Sequence, residues 1–241
     1  MGMPVTLEVV EPTVTQELFE AVFAYFESVD RRFSTYKAGS EISRINRGEL
    51  TLEAASPDMK TMFELAEQAR KKTHGYFNIR RGEISDPSGL VKGWAIQHAA
   101  EMVRQSGFKN FYVEAGGDFE VAGKNGQGQD WRVGIRNPFN PDEIVKVLAI
   151  SERGIATSGT YVRGQHIYNP KNVAAAIADI VSLTVIGPNI YEADCYATAA
   201  FAMGRKGIHF IEKLEGFEGY LIDSNRQATF TSDFARYVYY D

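Results

Sequence analysis

At 241 residues, with 44% hydrophobic and 24% charged residues, the chain has the length and composition of a globular protein with one substantial core. A net charge of −5, with no basic run interleaved with aromatics, argues against nucleic acid as a partner, and no apolar run reaches the length of a stable membrane insertion. The lone cysteine, Cys195, rules out intrachain disulfides and a cysteine-only metal site, and its alanine-rich helical setting makes it a small buried hydrophobe.

No secretory leader is read at the start, so a cytoplasmic protein is expected, or an exported one whose leader is not part of this sequence. Val5–Val10 alternates as a strand. Thr13 and Gln16 then form a capping-box signal, followed by apolar residues at helical spacing from Leu18 to Phe33. The polar segment FSTYKAGSEISRIN (33–46) predicts a loop and a short helical turn. Ser56-Pro57 opens the next helix, Lys71 and Lys72 suit its C-terminal dipole, and Gly75 stops it. In SDPSGLVKGWAIQHAAEMVRQSG, Ser88 is the expected N-cap of a helix ending at Gly107. Lys92 then falls in or near the first turn, where the helix dipole disfavours a cation. A bound phosphate would explain that placement, and a solvated lysine is the alternative.

FYVEAGGDFEVAGK predicts strands at Phe111–Ala115 and Phe119–Ala122 around a Gly116-Gly117-Asp118 break, with Asp118 read as a turn carboxylate ahead of a ligand. Trp131–Pro138 is the next strand and its exit turn, and the apolar run Val145–Ile150 leads into GIATSGTYVRGQHIYNP (154–170). Thr157, Ser158, Gly159 and Thr160 read as a turn that aims N–H groups and hydroxyls at one point, with His166 soon after. Ile177–Ile186 is a strand. Asn189 and Glu192 cap a helix running to Gly204, which carries Asp194 and Thr198 on one face. A helix (208–214), a strand (219–223) and a closing β-run (228–240) complete a single expected domain over 1–241. Hydroxyls, a histidine and a carboxylate suit a phosphate-plus-metal site, and a Thr/Ser-rich turn with a helix cap is the plainer alternative.

Six stretches in order, MGMPVTLEV, FSTYKAGSEISRIN, DPSGLVKGWA, VEAGGDFEVAG with WRVGIRNP, IATSGTYVRGQHIYNP and YEADCYATAAFAMG, give the chain its resemblance to the FAD:protein FMN transferase (ApbE-like) family, in a short form. That resemblance implies an α+β fold with a mixed, largely antiparallel sheet and packed helices. It implies FAD as substrate, Mg2+ on the FAD pyrophosphate, transfer of FMN to a threonine hydroxyl of an acceptor flavoprotein, and release of AMP. Carried over residue by residue, the metal site falls on Asp194, Thr198 and the carbonyl of Ala156. Lys92 becomes the pyrophosphate lysine and His166 the histidine of the transfer step. Flavin or adenosine contacts fall on Asn46, Gly116, Gly117, Asp118, Thr157, Ser158 and Gly159.

The chain departs from the family pattern in places. GYFNIRRGEISDPSGLVKG is compressed, Asn78 and Asn169 stand where aspartates are common, Ser88 replaces a glycine, and the lipoprotein cysteine is absent. Two other functions share most of these residues: a magnesium-dependent FAD pyrophosphatase giving FMN and AMP, and a flavin-binding protein without turnover.

Overall fold

The computed structural model of the protein describes residues 2–160 and 167–240. Strand β1 (Val5–Val9) is followed by helices α1 (Gln16–Phe33), α2 (Glu41–Asn46) and α3 (Pro57–Lys72). A small hairpin, β2 (Arg80–Arg81) and β3 (Ile84–Ser85), leads into α4 (Ser88–Gln105). Strands β4 (Phe111–Ala115) and β5 (Asp118–Ala122), the ribbon β6 (Trp131–Asn137) and β7 (Asn140–Ile150), and β8 (Arg153–Gly159) come next. Beyond residue 167 lie β9 (Ile180–Gly187), α5 (Ile190–Ala202), α6 (Gly207–Ile211), β10 (Glu218–Asp223) and β11 (Ala228–Phe230).

Among the described residues a seven-stranded sheet runs β1-β4-β5-β8-β9-β10-β11, every pairing antiparallel. Its strands alternate between two buried faces, as period-two geometry requires. Ala156, Leu183, Val185 and Leu221 face the helices, while Ile155, Ile186, Tyr220 and Ile222 face the β6–β7 ribbon. The result is three layers, helices on one side of the sheet and a two-stranded ribbon on the other. No described helix is long and apolar enough to cross a membrane.

Helix α1 buries Val22, Phe26, Val29 and Phe33, the face its spacing predicts. The Thr13–Gln16 capping box does not form, because the helix starts at Gln16 with Thr15 at the N-cap. The Ser56 cap of α3 and the Asn189–Glu192 cap of α5 do form: Ser56 Oγ accepts from Met59 N–H and Asn189 Oδ1 from Glu192 N–H. The closing β-run is a correction. Strand β11 stops at Phe230, and a 3-10 turn (Phe234–Tyr237) brings Phe234 beneath Tyr220, with ring centroids 5.1 Å apart. Burying that phenylalanine against the ribbon-side core outweighs continuing the strand.

Helix α5 is central, and small residues make its position possible. Ala193, Ala197, Ala199 and Ala200 are fully buried. A methyl on Gly154 of β8 would lie 2.1 Å from Ile190 N, so the start of α5 rests directly on strand backbone. Buried Glu120 of β5 accepts the Ile190 N–H at 2.8 Å and pairs with Arg104 of α4 at 2.8 Å. This carboxylate ties three elements together, and burial raises its pKa against the pull of Arg104.

Candidate active site

A cleft of about 1060 Å³ opens where the N-terminal half of α4, the β4–β5 turn, the end of β8 and one face of α5 converge. Of the residues singled out in the sequence, Lys92, Gly116, Gly117, Asp118, Thr157, Ser158, Gly159, Asp194 and Thr198 line it. Asn46 does not line it. Its amide is spent on the backbone of β3, donating to Ser85 O and accepting from Ser85 N–H, both at 2.9 Å. Ala156 is fully buried in β8, in register with Val185 of β9, and is also absent from the cleft wall. His166 lies outside the described residues.

The centre of the site is a buried charge cluster drawn from α4, β5 and α5. The Lys92 ammonium contacts Asp118 directly and lies 3.3 Å from Asp194 Oδ1, with its side chain 14% exposed. Asp118 and Asp194 are 1% and 3% exposed. Burial opposes the Lys92 charge, but the two carboxylates hold its pKa above the ordinary lysine value. Burial, with Asp194 adding to it, pushes Asp118 up to about 6 against the opposing pull of Lys92.

Lys92 lies just past the first turn of α4, which starts at Ser88, and two carboxylates stand beside its charge. Three sequence-based expectations change here. The residue before α4 is Pro87, and Asp86 Oδ1, rather than a Ser88 cap, accepts the Ser88 N–H at 3.0 Å. Asp118 is no turn carboxylate, since its Oδ1 accepts the Thr157 N–H at 3.0 Å and joins β5 to β8. The third concerns Thr157–Gly159, which form a strand and not a turn, paired with β9 as far as Gly159 opposite Ser182. Successive side chains therefore point to opposite faces, and the Thr157 hydroxyl is 2.8 Å from that of Thr184.

Two glycines that the sequence reading passed over set the geometry of Asp194 and Thr198. A methyl on Gly93 would lie 2.8 Å from both Asp194 Cβ and Ile190 O; on Gly89 it would lie 3.3 Å from Thr198 Cγ2. Helices α4 and α5 thus cross at near-backbone contact, and the Gly93 N–H donates to Asp194 Oδ2 at 2.9 Å. The signal was present in the SGLVKG spacing, with Gly89 and Gly93 one turn apart on a helix face.

The segment before α4 forms the β2–β3 hairpin at the cleft rim. Arg81 sits over the Tyr168 ring at 5.1 Å, and the Tyr168 hydroxyl donates to Arg80 O at 3.0 Å. Asn78 and Asn169 serve as turn acceptors, for Arg80 N–H and Lys171 N–H respectively, each at 2.9 Å.

The family model described as "ApbE family" matches residues 1–86 and 84–221. The chain belongs to the ApbE family. The two matched stretches overlap at residues 84–86, at β3 and the residue after it. Among curated relatives, the FAD:protein FMN transferase of Escherichia coli (strain K12) is 32% identical over 146 residues, covering 57% of this chain and 42% of that protein. The match therefore spans less than half the length of that relative. The Haemophilus influenzae protein of the same name is 23% identical over 265 residues, covering 83% of this chain and 76% of its own. Among solved structures, the flavin transferase ApbE from Vibrio cholerae superimposes with a TM-score of 0.85 at 23% identity, covering 98% of this chain and 96% of that one. The ApbE protein from Thermotoga maritima gives 0.85 at 18% identity, covering 99% and 97%. These superpositions establish the ApbE fold of this chain, helices against a largely antiparallel sheet.

Magnesium chemistry can be tested against the donors present. Among the described residues no group of three or more His, Cys, Asp or Glu could hold a metal. The cleft instead offers the Asp194 carboxylate with the Thr198 hydroxyl one helical turn on, hard oxygen donors of the kind magnesium takes alongside substrate phosphates and water. The donor set fits.

Proposed function

We propose that this ApbE-family chain transfers FMN from FAD to a threonine hydroxyl of an acceptor flavoprotein, with magnesium required and AMP released. The observation that carries the reading is the cluster of Lys92, Asp194 and Thr198 on one cleft wall. Phosphoryl transfer requires charge neutralisation and alignment more than covalent help from the protein. Asp194 and Thr198 would hold the magnesium ion, which supplies positive charge at the pyrophosphate when bound. Lys92 adds a second cation, buried enough to act with little screening by water. Gly117, with positive φ and open space where a side chain would stand, lets ligand approach the backbone at the β4–β5 turn, while the Met3 side chain fills that space at Gly116.

In the proposed reaction the threonine Oγ bonds to the phosphorus on the riboflavin side of the pyrophosphate. The bond from that phosphorus to the bridging oxygen breaks, and AMP departs with the bond electrons. His166 is the residue that the family resemblance assigns to accept the threonine proton, a task an imidazole can perform.

The test is incubation with FAD, Mg2+ and a threonine-containing acceptor domain, followed by intact-mass measurement. A covalent FMN adduct that requires Mg2+ is expected. Release of FMN and AMP with an unmodified acceptor would replace transfer by hydrolysis, and intact FAD would remove both reactions.

A further inference from the structure

We infer that the Lys92 ammonium and a divalent cation compete for the same oxygen of Asp194, and that Asp118 is the positioning residue that retains Lys92 once the metal displaces it. The inference rests on the metal assignment just proposed and extends it to the order of events at the site.

Asp194 has two carboxylate oxygens with different commitments. Oδ2 accepts the Gly93 N–H at 2.9 Å, and the close crossing of α4 and α5 fixes that bond. Oδ1 is the remaining oxygen, and Lys92 Nζ stands 3.3 Å from it. A hard dication binds carboxylate oxygen at about 2.0–2.1 Å, so a metal on Oδ1 would meet the ammonium at short range. Burial of Asp118 and Asp194, with Lys92 nearly buried, weakens the screening of that repulsion. One of the two cations has to give way.

Lys92 has somewhere to go. Its contact with Asp118 is closer than that with Asp194. Asp118 is itself held, with Oδ1 fixed by the Thr157 N–H at 3.0 Å and Oδ2 turned to the lysine. The flexible four-carbon stem lets the ammonium pivot about Asp118, leave Asp194 and remain in the cleft. Both Asp118 and Lys92 line that cleft, so the displaced charge stays where substrate phosphates would lie. Metal arrival and lysine release are then one event, and the site exchanges one cation for two.

The experiment uses Mn2+ as the probe, titrated into the nucleotide-free protein and read by electron paramagnetic resonance of the free ion. Lys92→Met should bind Mn2+ about tenfold more tightly than the parent, the order of an ordinary coupling between two ligands. The decisive variant is the double substitution Lys92→Met with Asp118→Asn. It carries one carboxylate, whereas the parent carries two and an ammonium, so the formal charge of the cluster is unchanged. Tighter Mn2+ binding in the double variant therefore reports a vacated oxygen and not a change in net charge. This variant also carries the test if Lys92→Met alone fails to fold with Asp118 left buried and unpaired. Affinity in the double variant equal to or weaker than the parent's, with Asp194→Asn much weaker, overturns the competition and leaves the metal assignment standing. Unchanged affinity in Asp194→Asn overturns both.

Discussion

Replacing Gly93 by alanine puts the packing argument and the site argument to the same test. In an open helix position this substitution stabilises by about 1 kcal/mol, because alanine loses less backbone freedom on folding. Here the new methyl would lie 2.8 Å from Asp194 Cβ and from Ile190 O, and 3.1 Å from Tyr191 Cα. Two of those three neighbours are backbone atoms that no rotamer change can move, so α4 and α5 must separate. Overpacking of this kind costs about 1–3 kcal/mol. Stretching the Gly93 N–H bond to the Asp194 carboxylate forfeits about 1.5–3 kcal/mol more. Set against the helix gain, the net is a loss of about 1.5–5 kcal/mol. Displacing Asp194 should also weaken Mn2+ binding by at least about tenfold, since one tenfold step is only 1.4 kcal/mol. Denaturant unfolding of parent and variant, with Mn2+ titration of the folded proteins, measures both effects. A Gly93→Ala protein more stable than the parent, with unchanged Mn2+ affinity, would refute the close crossing and the positioning of Asp194 derived from it.

Three further outcomes are expected. Asp194→Asn should abolish most magnesium-dependent turnover, and superimposable magnesium titrations of activity in the two proteins would remove Asp194 as a ligand. Lys92→Met should weaken FAD far more than riboflavin, which lacks the pyrophosphate; calorimetric titrations showing equal losses would point to a ring-side or folding role. His166→Ala should leave the melting temperature and FAD affinity near parental values while slowing single-turnover transfer by about 10²–10⁴-fold. Parallel loss of melting temperature and FAD affinity would instead make His166 a structural residue.

Local rules made much of the scaffold legible. The 3.6-residue spacing in α1, the Ser56-Pro57 start of α3 and the Asn189–Glu192 cap of α5 are signals within a few residues, and helices form where they predict. The end of β8 was not legible, because glycine, serine and threonine there imitate a turn. What makes Thr157 a strand residue is Thr184, in register on β9. The first half of β7 was missed for a related reason: Asn140–Glu143 are exposed ribbon residues without apolar alternation. At the site, residue types were readable but partners were not. Lys92, Asp118 and Asp194 come from three separate elements, and only tertiary packing shows that they neutralise one another. Asn46 and Ala156 show the converse, being placed by motif while the fold directs one to Ser85 and buries the other.

Helix α5 is confined by glycines on separate parts of the chain. Gly93 admits it from α4 and Gly154 from β8, while at its far end Gly207 stands where a methyl would lie 2.0 Å from Ala200 O. Such positions do not behave as independent sites. The first substitution forces the helix from its seat, and the second then meets a helix that has already moved. Their combined cost should fall below the sum of the separate costs, as it does for residues coupled through a shared displacement. Tolerance at Gly93 therefore depends on the state of Gly154, although one lies in a helix and the other in a strand on a different wall. Mutational history at the three glycines is accordingly contingent: a change at one alters which changes the others can accept, and Asp194, carried by the same helix, inherits that dependence.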